Sequence, residues 1–533
     1  MSNPPLQRNR AATPSAQDLQ VGGPGNDVFF VNDSSEVVLD SSSVDRDVVY
    51  ASVNWVMTAG SRLEILSAVS QAATTPLQLI GNEFGQEIYG NAGANYLDGG
   101  SGNDTLVGFG GDDSYVVDDA SDYVAESAGG GNDIVYVRGN FTLGSGQEVE
   151  TLAALSQAGT APIVIVGNEF NQTLYGNAGA NYLDGGSGND TLVGFGGDDS
   201  YVVDDASDYV AESAGGGNDI VYVRGSFSLG SGQEVETLAA LSQAGTAPIV
   251  IVGNEFSQTL YGNAGANYLD GGSGNDTLVG FGGDDSYVVD DVSDFVAEFA
   301  GGGNDIVYVR GSFSLGSGQE VETLAALSQA GTAAITIVGN GIDQRLYGNN
   351  GDNYLDGGGG TDVLQGFSGN DTYVVDGLSD YVVEGAGEGT DIVYARSSYT
   401  LVSGQEIELL SAISLTATTA IDLAGNEFAN QIYGNAGANV LNGGAGADYL
   451  QGFGGADSFA FTTALGGGNV DTLIDFVSGS DRIALDDAIF GAFSANAFVA
   501  GTAAQDADDR IVYDGATGQL FFDADGNGAG AQV

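Results

Sequence analysis

The residues in this chain able to do chemistry are carboxylates set among glycines at fixed spacing. The segment LDGGSGNDTLVGFGGDDSYVVDD occupies residues 97–119, and the same letters return at 183–205 and 269–291. Glycine pairs begin at 99, 185, 271, 357 and 443, a step of 86 residues. An aspartate follows each pair at the same distance: Asp104, Asp190, Asp276, Asp362 and Asp448. Other columns keep the step. One runs Asp113, Asp199, Asp285, Asp371 and Asp457, and another Asp122, Asp208, Asp294 and Asp380. A third runs Asp133, Asp219, Asp305 and Asp391, preceded by Asp47. A fourth is amide rather than acid: Asn95, Asn181, Asn267, Asn353 and Asn439. Oxygen-only ligands of this kind suit a hard cation, and Ca²⁺ best among them.

Composition narrows the chemistry further. The chain has 533 residues, 72 of them acidic against 11 basic, for a net charge of −61. Histidine and cysteine are absent, and every basic residue is an arginine. Cysteine nucleophiles, histidine bases, lysine Schiff bases and the usual zinc sites are therefore excluded. So large a negative charge repels nucleic acid and anionic membranes, and it opposes compaction until something neutralises it. No apolar stretch is long enough to span a bilayer, and residues 1–20 lack an apolar run of signal-peptide length. Two carboxylates suffice for a glycosidase. Here, however, the carboxylates before the tail stand in repeated contexts and are better explained as ligands, so no catalytic residue and no enzyme activity is expected.

The elements that must position these columns follow from a shorter period. From Gly81 the chain reads GNEFGQEIY, GNAGANYLD, GGSGNDTLV, GFGGDDSYV, four blocks of nine. Each is a glycine-rich turn and then three residues with a large apolar one in the middle: Ile88, Leu97, Leu106, Tyr115. Three residues with the middle one inward make a short strand. Two blocks make one flat coil, and coils stack through parallel backbone hydrogen bonds. Asp104 and Asp122 are two blocks apart, as are Asn95 and Asp113, so stacking brings their oxygens towards one gap between layers. The turns of Gly100 and Gly102 supply further carbonyls there. The asparagine column predicts weaker sites or purely structural turns. In the first unit Asp18 pairs by spacing with Glu36 among fewer glycines, a less regular site.

The rest of each copy reads as further coils. Strands are expected for DIVYVRG (133–139), for residues 148–155 and for PIVIVG (162–167). A helix over EVETLAALSQA (148–158) is the alternative, given the spacing of Val149, Leu152 and Leu155. The fold class is thus all-β: a parallel β-roll or β-solenoid of about five 86-residue repeats with a small β-rich C-terminal cap. The organisation is an N-terminal arm (1–17, with Arg8 and Arg10), a repeat body (18–461) and a C-terminal region (462–533).

GGSGNDTLV at 99–107, its copies at 185–193 and 271–279, GGGGTDVLQ (357–365) and GGAGADYLQ (443–451) resemble the nonapeptide G-G-x-G-x-D-x-U-x of RTX (repeats-in-toxin) proteins, which form a calcium-binding parallel β-roll. The longer pattern, with SYVVDDASDYVAE after the turns, is similar to long-repeat RTX proteins. The stretches 466–490 and 508–533 are similar to the C-terminal region of serralysin-like members. The resemblance implies several bound Ca²⁺ ions, and export to the cell surface or medium by a type I route without an N-terminal signal peptide.

Three features have a plainer reading beside a sharper one. The recurring Tyr89, Tyr96, Tyr115 and Tyr123 read as packing rather than as a sugar-binding strip. The arginine column Arg138, Arg224, Arg310 and Arg396 reads as pairing with local acids. DADGNGAG (523–530) resembles part of an EF-hand loop without its closing glutamate, and reads as a turn. The function expected is that of an extracellular calcium-stiffened structural protein that self-associates into a surface layer, filament or matrix. The alternative is a monomeric adhesin stalk or a module binding a cell-surface glycan.

Overall fold

The computed structural model describes residues 19–464, 466–494 and 496–533; Asp18 and the N-terminal arm lie outside them. Apart from one short helix, Asp487–Phe490, the regular elements are strands, most of them three or four residues long. Each nonapeptide block behaves as its pattern demands. In Glu87–Tyr89, Tyr96–Gly100, Thr105–Val107 and Ser114–Val117 the second residue points inward, and Ile88, Leu97, Leu106 and Tyr115 are fully buried. Each such side chain withdraws enough apolar surface to stabilise the stack by about 1.5–3 kcal/mol.

The chain forms two compact units, Met1–Ala244 with Ile249–Gly262, and Gly245–Pro248 with Asn263–Val533. Both are parallel β-solenoids. In the first, Thr105–Val107 pairs with Glu87–Tyr89 on one side and Tyr123–Ala125 on the other, so Leu106 lies between Ile88 and Val124. Each neighbour is two nonapeptides away along the chain. Outside the nonapeptides the coil changes length. Ser114 faces Ile134, Ile134 faces Thr151, and Thr151 faces Thr173. The first and third of these offsets are longer than two nonapeptides and the second is shorter. The expected coil thus holds only where the nonapeptides run, and the bridging coils absorb the difference in their turns. Residues 148–158 contribute the strand Thr151–Ala154, with Leu155 exposed, so the strand reading stands and the helical spacing was incidental. DIVYVRG and PIVIVG supply Ile134–Val137 and Val164–Val166.

The number of strands per copy decides which sheet each one joins. Nine strands run from Glu87–Tyr89 to Val164–Val166, after which the pattern restarts at Thr173–Tyr175. Because nine is odd, a given strand changes sheet with each copy. Ser114–Val117 and Thr191–Val193, which are different positions of the repeat, therefore lie in one sheet of the first unit. The second unit does the same, with Ser286–Val289 and Val363–Gln365 in one sheet. Its stacking continues past residue 461: Thr472–Leu473 pairs with Tyr449–Gln451, and Arg482–Leu485 with Ser458–Phe461. A small mixed sheet of Phe498–Ala500, Ile511–Asp514 and Gln519–Phe522 follows.

Candidate metal centre

The nonapeptide turn is shaped by contact between coils. Gly100 and Gly102 sit at φ 93° and 120°, and a Cβ at either would strike the backbone of the preceding coil, at Asn82 and Phe84. Asp104 then enters the turn almost wholly buried. Its Oδ1 accepts the Gln86 N–H at 2.7 Å, and its own N–H donates to Asp122 Oδ1 at 2.9 Å. One oxygen therefore closes a ladder between coils. The other, Oδ2, is buried with no hydrogen-bond partner, and it lies where a Cβ on Gly99 would stand. Burial raises Asp104 to about 7, and Asp122, Asp118 and Asp98 add repulsion. Asp190, Asp362 and Asp448 repeat the orphaned Oδ2. Their N–H groups donate to Asp208, Asp380 and Asp471 at 2.9, 3.1 and 3.1 Å. The Asp276 N–H donates to Asp294 at 3.0 Å. On the turn that follows, Asp118, Asp119 and Asp122 each bring an oxygen within 4.8 Å of the others, as do Asp204, Asp205 and Asp208.

The opposite edge carries the other columns. Asn95 N–H donates to Asp113 Oδ1 at 2.6 Å, and Asp113 N–H to Asp133 Oδ1 at 2.7 Å. The Asn95 amide nitrogen donates to the carbonyls of Asn91 (2.9 Å) and Gly93 (2.5 Å) and to Asp113 Oδ1 (3.0 Å). A neutral donor there gathers the oxygens a cation would otherwise gather. Asn181, Asn267 and Asn353 make the same bonds towards Asp199, Asp285 and Asp371, while the Asn439 N–H donates to Asp457 at 2.9 Å. Asp133 meets Asp113 together with Glu126, the three offering oxygens within 4.8 Å, and Asp199, Glu212 and Asp219 do likewise. Asp285 with Asp305, and Asp371 with Asp391, are joined by N–H bonds of 2.8 Å.

The expected columns are thus drawn together, and several partners were missed. Glu126, Glu212, Glu298 and Glu384 keep the 86-residue step and could have been found by it. Asp118 and Asp119 stand in the turn after the nonapeptides. Asp471 and Asp481 extend two columns into the tail at offsets of 23 and 24, which no fixed period reveals. In the first copy Glu36 accepts from Gln20 at 2.8 Å and from the Asn32 and Asp33 N–H groups, while its expected partner Asp18 lies outside the described residues. The arginine column pairs with acids two coils back: Arg138 with Asp98 (2.7 Å), Arg224 with Asp184 (2.6 Å), Arg310 with Asp270 (2.5 Å) and Arg396 with Asp356 (2.6 Å). In the EF-hand-like loop, Asp525 accepts from Gly530 N–H at 3.0 Å and Asp523 from Asp525 N–H at 3.3 Å, the bonds of a turn.

The donor set fits Ca²⁺: it is all oxygen, preformed, and holds buried carboxylate oxygens that nothing in the chain satisfies. Comparison with known families matches the RTX calcium-binding nonapeptide repeat (4 copies) at residues 87–124, 166–209, 252–296, 338–382 and 424–459. A search of curated proteins found no match for the chain. These repeats bind calcium, several ions to a protein, and are typical of secreted proteins. Registered nonapeptides, parallel coils and oxygen-lined turns together make this chain a member of the RTX calcium-binding β-roll family.

Proposed function

We propose that this is an extracellular structural protein, a calcium-stiffened β-solenoid that self-associates into a surface layer, filament or matrix. The observation that carries the reading is the buried, partnerless Oδ2 of Asp104, repeated at Asp190, Asp362 and Asp448. Without a cation each is a desolvated charge opposing the fold. Bound Ca²⁺ supplies the missing positive charge. Gln86 N–H, Asp122 and the Gly100–Gly102 turn hold the carboxylate in place for it. Folding is thereby coupled to calcium, scarce in cytosol and plentiful outside, so the chain stays exportable until it leaves the cell. No helix among the described residues is long and apolar enough to cross a membrane.

Self-association is supported by the copies themselves, which repeat one local surface, set on a different sheet from copy to copy. Tyr123, Tyr209, Phe295 and Tyr381 recur every 86 residues, each 43–45% exposed. The same aromatics favour the second reading, a monomeric stalk or glycan-binding module. Gln147 and Gln233 donate to the hydroxyls of Tyr123 and Tyr209 at 2.9 Å, giving a ring beside an amide as sugars require. In either case the carboxylates serve as ligands rather than catalysts, and residues 462–533 end the stack. Sedimentation of the purified chain in chelator and then in millimolar Ca²⁺ decides. Large, fast assemblies appearing with calcium support the polymer. A compact monomer moves the function to a stalk or binding module, and a fully folded chain in chelator removes the calcium coupling.

A further inference from the structure

In each of four copies the family match takes in one member of a buried three-acid cluster, Asp113, Asp199, Asp285 or Asp371, and stops before the other two. The matched segments end at 124, 209, 296 and 382, before Glu126, Glu212, Glu298 and Glu384 and the aspartates that follow them. We propose that Asp113, Glu126 and Asp133 form a second class of Ca²⁺ site, one per copy, built by a glycine turn that is not a nonapeptide. The inference rests on the calcium-dependent reading above and adds a site to it.

Four observations carry it. Asp113, Glu126 and Asp133 are 0%, 5% and 2% exposed, and the Oδ2 atoms of both aspartates have no hydrogen-bond partner. One oxygen from each lies within 4.8 Å of the others, close enough for one cation to touch all three, since opposite oxygens of a Ca²⁺ shell stand roughly 4.6–5.2 Å apart. No basic side chain serves them: among the described residues the arginine ion pairs go to Glu87, Asp98, Asp184, Asp270 and Asp356. The Asn95 donors and the Asp113 N–H occupy only the Oδ1 atoms of the two aspartates, while Glu126 accepts from Ser127 N–H at 3.2 Å and from the buried Tyr115 hydroxyl. The same Tyr–Glu bond recurs as Tyr201–Glu212, Tyr287–Glu298 and Tyr373–Glu384, and Glu212 Oε1 and Glu384 Oε1 are also orphaned.

The first copy strengthens the case. Asp27, Asp40 and Asp47 take the three places and again gather within 4.8 Å. There Phe29 replaces the tyrosine and the shorter Asp40 replaces the glutamate, so the acid cluster persists where the phenol does not. A cluster serving only to bond the phenol would have no use there. The phenol orients the longer glutamate, a positioning role, while the carboxylates are the ligands.

The test is Glu126→Gln, Glu212→Gln, Glu298→Gln and Glu384→Gln together in the full chain, with Ca²⁺ counted by equilibrium dialysis. Four ions per chain should weaken at least about tenfold, the remainder keeping their affinity. An unchanged count overturns the second site. A parent chain that binds no calcium overturns instead the reading on which it rests. If the variant does not regain β structure in saturating calcium, the decision passes to Tyr115→Phe, Tyr201→Phe, Tyr287→Phe and Tyr373→Phe, which keep every carboxylate. With Tb³⁺ as probe, emission excited through tyrosine should fall severalfold; unchanged emission overturns the proposal.

Discussion

Replacing the nonapeptide aspartates by asparagine should stabilise the protein in chelator and destabilise it in calcium. The molecule already contains the product of that exchange. At Asn95 the amide nitrogen donates to the carbonyls of Asn91 and Gly93 and to Asp113. One nonapeptide on, Asp104→Asn places an amide nitrogen beside the carbonyls of Gly100 and Gly102 and beside Asp122. Its Oδ1 still accepts from Gln86, and the orphaned Oδ2 is gone. Two new hydrogen bonds at about 1 kcal/mol each contribute about 2 kcal/mol in the ion-free fold. In calcium at a hundred times Kd the parent site contributes about 2.7 kcal/mol, which the variant forfeits, leaving it about 1 kcal/mol worse per site. Sites 86 residues apart share no partner, so Asp104→Asn, Asp190→Asn, Asp276→Asn, Asp362→Asn and Asp448→Asn should add, to about 10 kcal/mol in chelator. Urea unfolding followed by far-ultraviolet circular dichroism, in chelator and in millimolar Ca²⁺, reads both signs. Loss of β structure in both conditions would refute the reasoning, because the carboxylate would then be holding the turn rather than waiting for a cation.

Further outcomes follow from the same geometry. Burial lifts Asp104, Asp113 and Glu126 to about 7, with neighbouring acids adding to it, against an ordinary carboxyl near 4 when unfolded. Between those values the fold binds more protons than the unfolded chain, so in chelator β structure should increase as pH falls from about 8 to about 5, the reverse of ordinary acid unfolding. Calcium affinity should fall over the same range, which titration calorimetry at both ends checks. Arg138→Ala leaves the nearly buried Asp98 without its cation. It should cost about 1–2 kcal/mol, discounted for the half-exposed arginine, and Asp98→Asn added to it should recover most of the loss in a thermal melt. Phe109 holds φ at 80° while its ring stacks on Tyr89 with centroids 6.4 Å apart. Phe109→Ala loses the ring and keeps the strain, so Phe109→Gly should be the more stable of the two by about 1 kcal/mol, read from denaturation midpoints in calcium.

The sequence by itself determined the class of fold, the period and the ion. The nonapeptide spacing places Leu97, Leu106 and Tyr115 inward, and twice that spacing puts Asp104 over Asp122, because within a regular stack sequence offset equals spatial neighbourhood. Oxygen ligands with no histidine or cysteine left a hard cation as the one chemistry to consider. Where offsets vary, that equivalence fails. Glu126 reaches Asp113 only because the bridging coil is longer than two nonapeptides, and Asp471 continues the Asp448 column only because the tail coil is longer still. The change of sheet with every copy depends on the parity of the strand count, which is settled by the turns outside the nonapeptides. The division of labour between the columns was likewise tertiary. Side-chain type alone shows an asparagine where an aspartate could stand. That its nitrogen faces the carbonyls of Asn91 and Gly93, while Asp104 Oδ2 faces nothing, is decided by how one coil closes on the next.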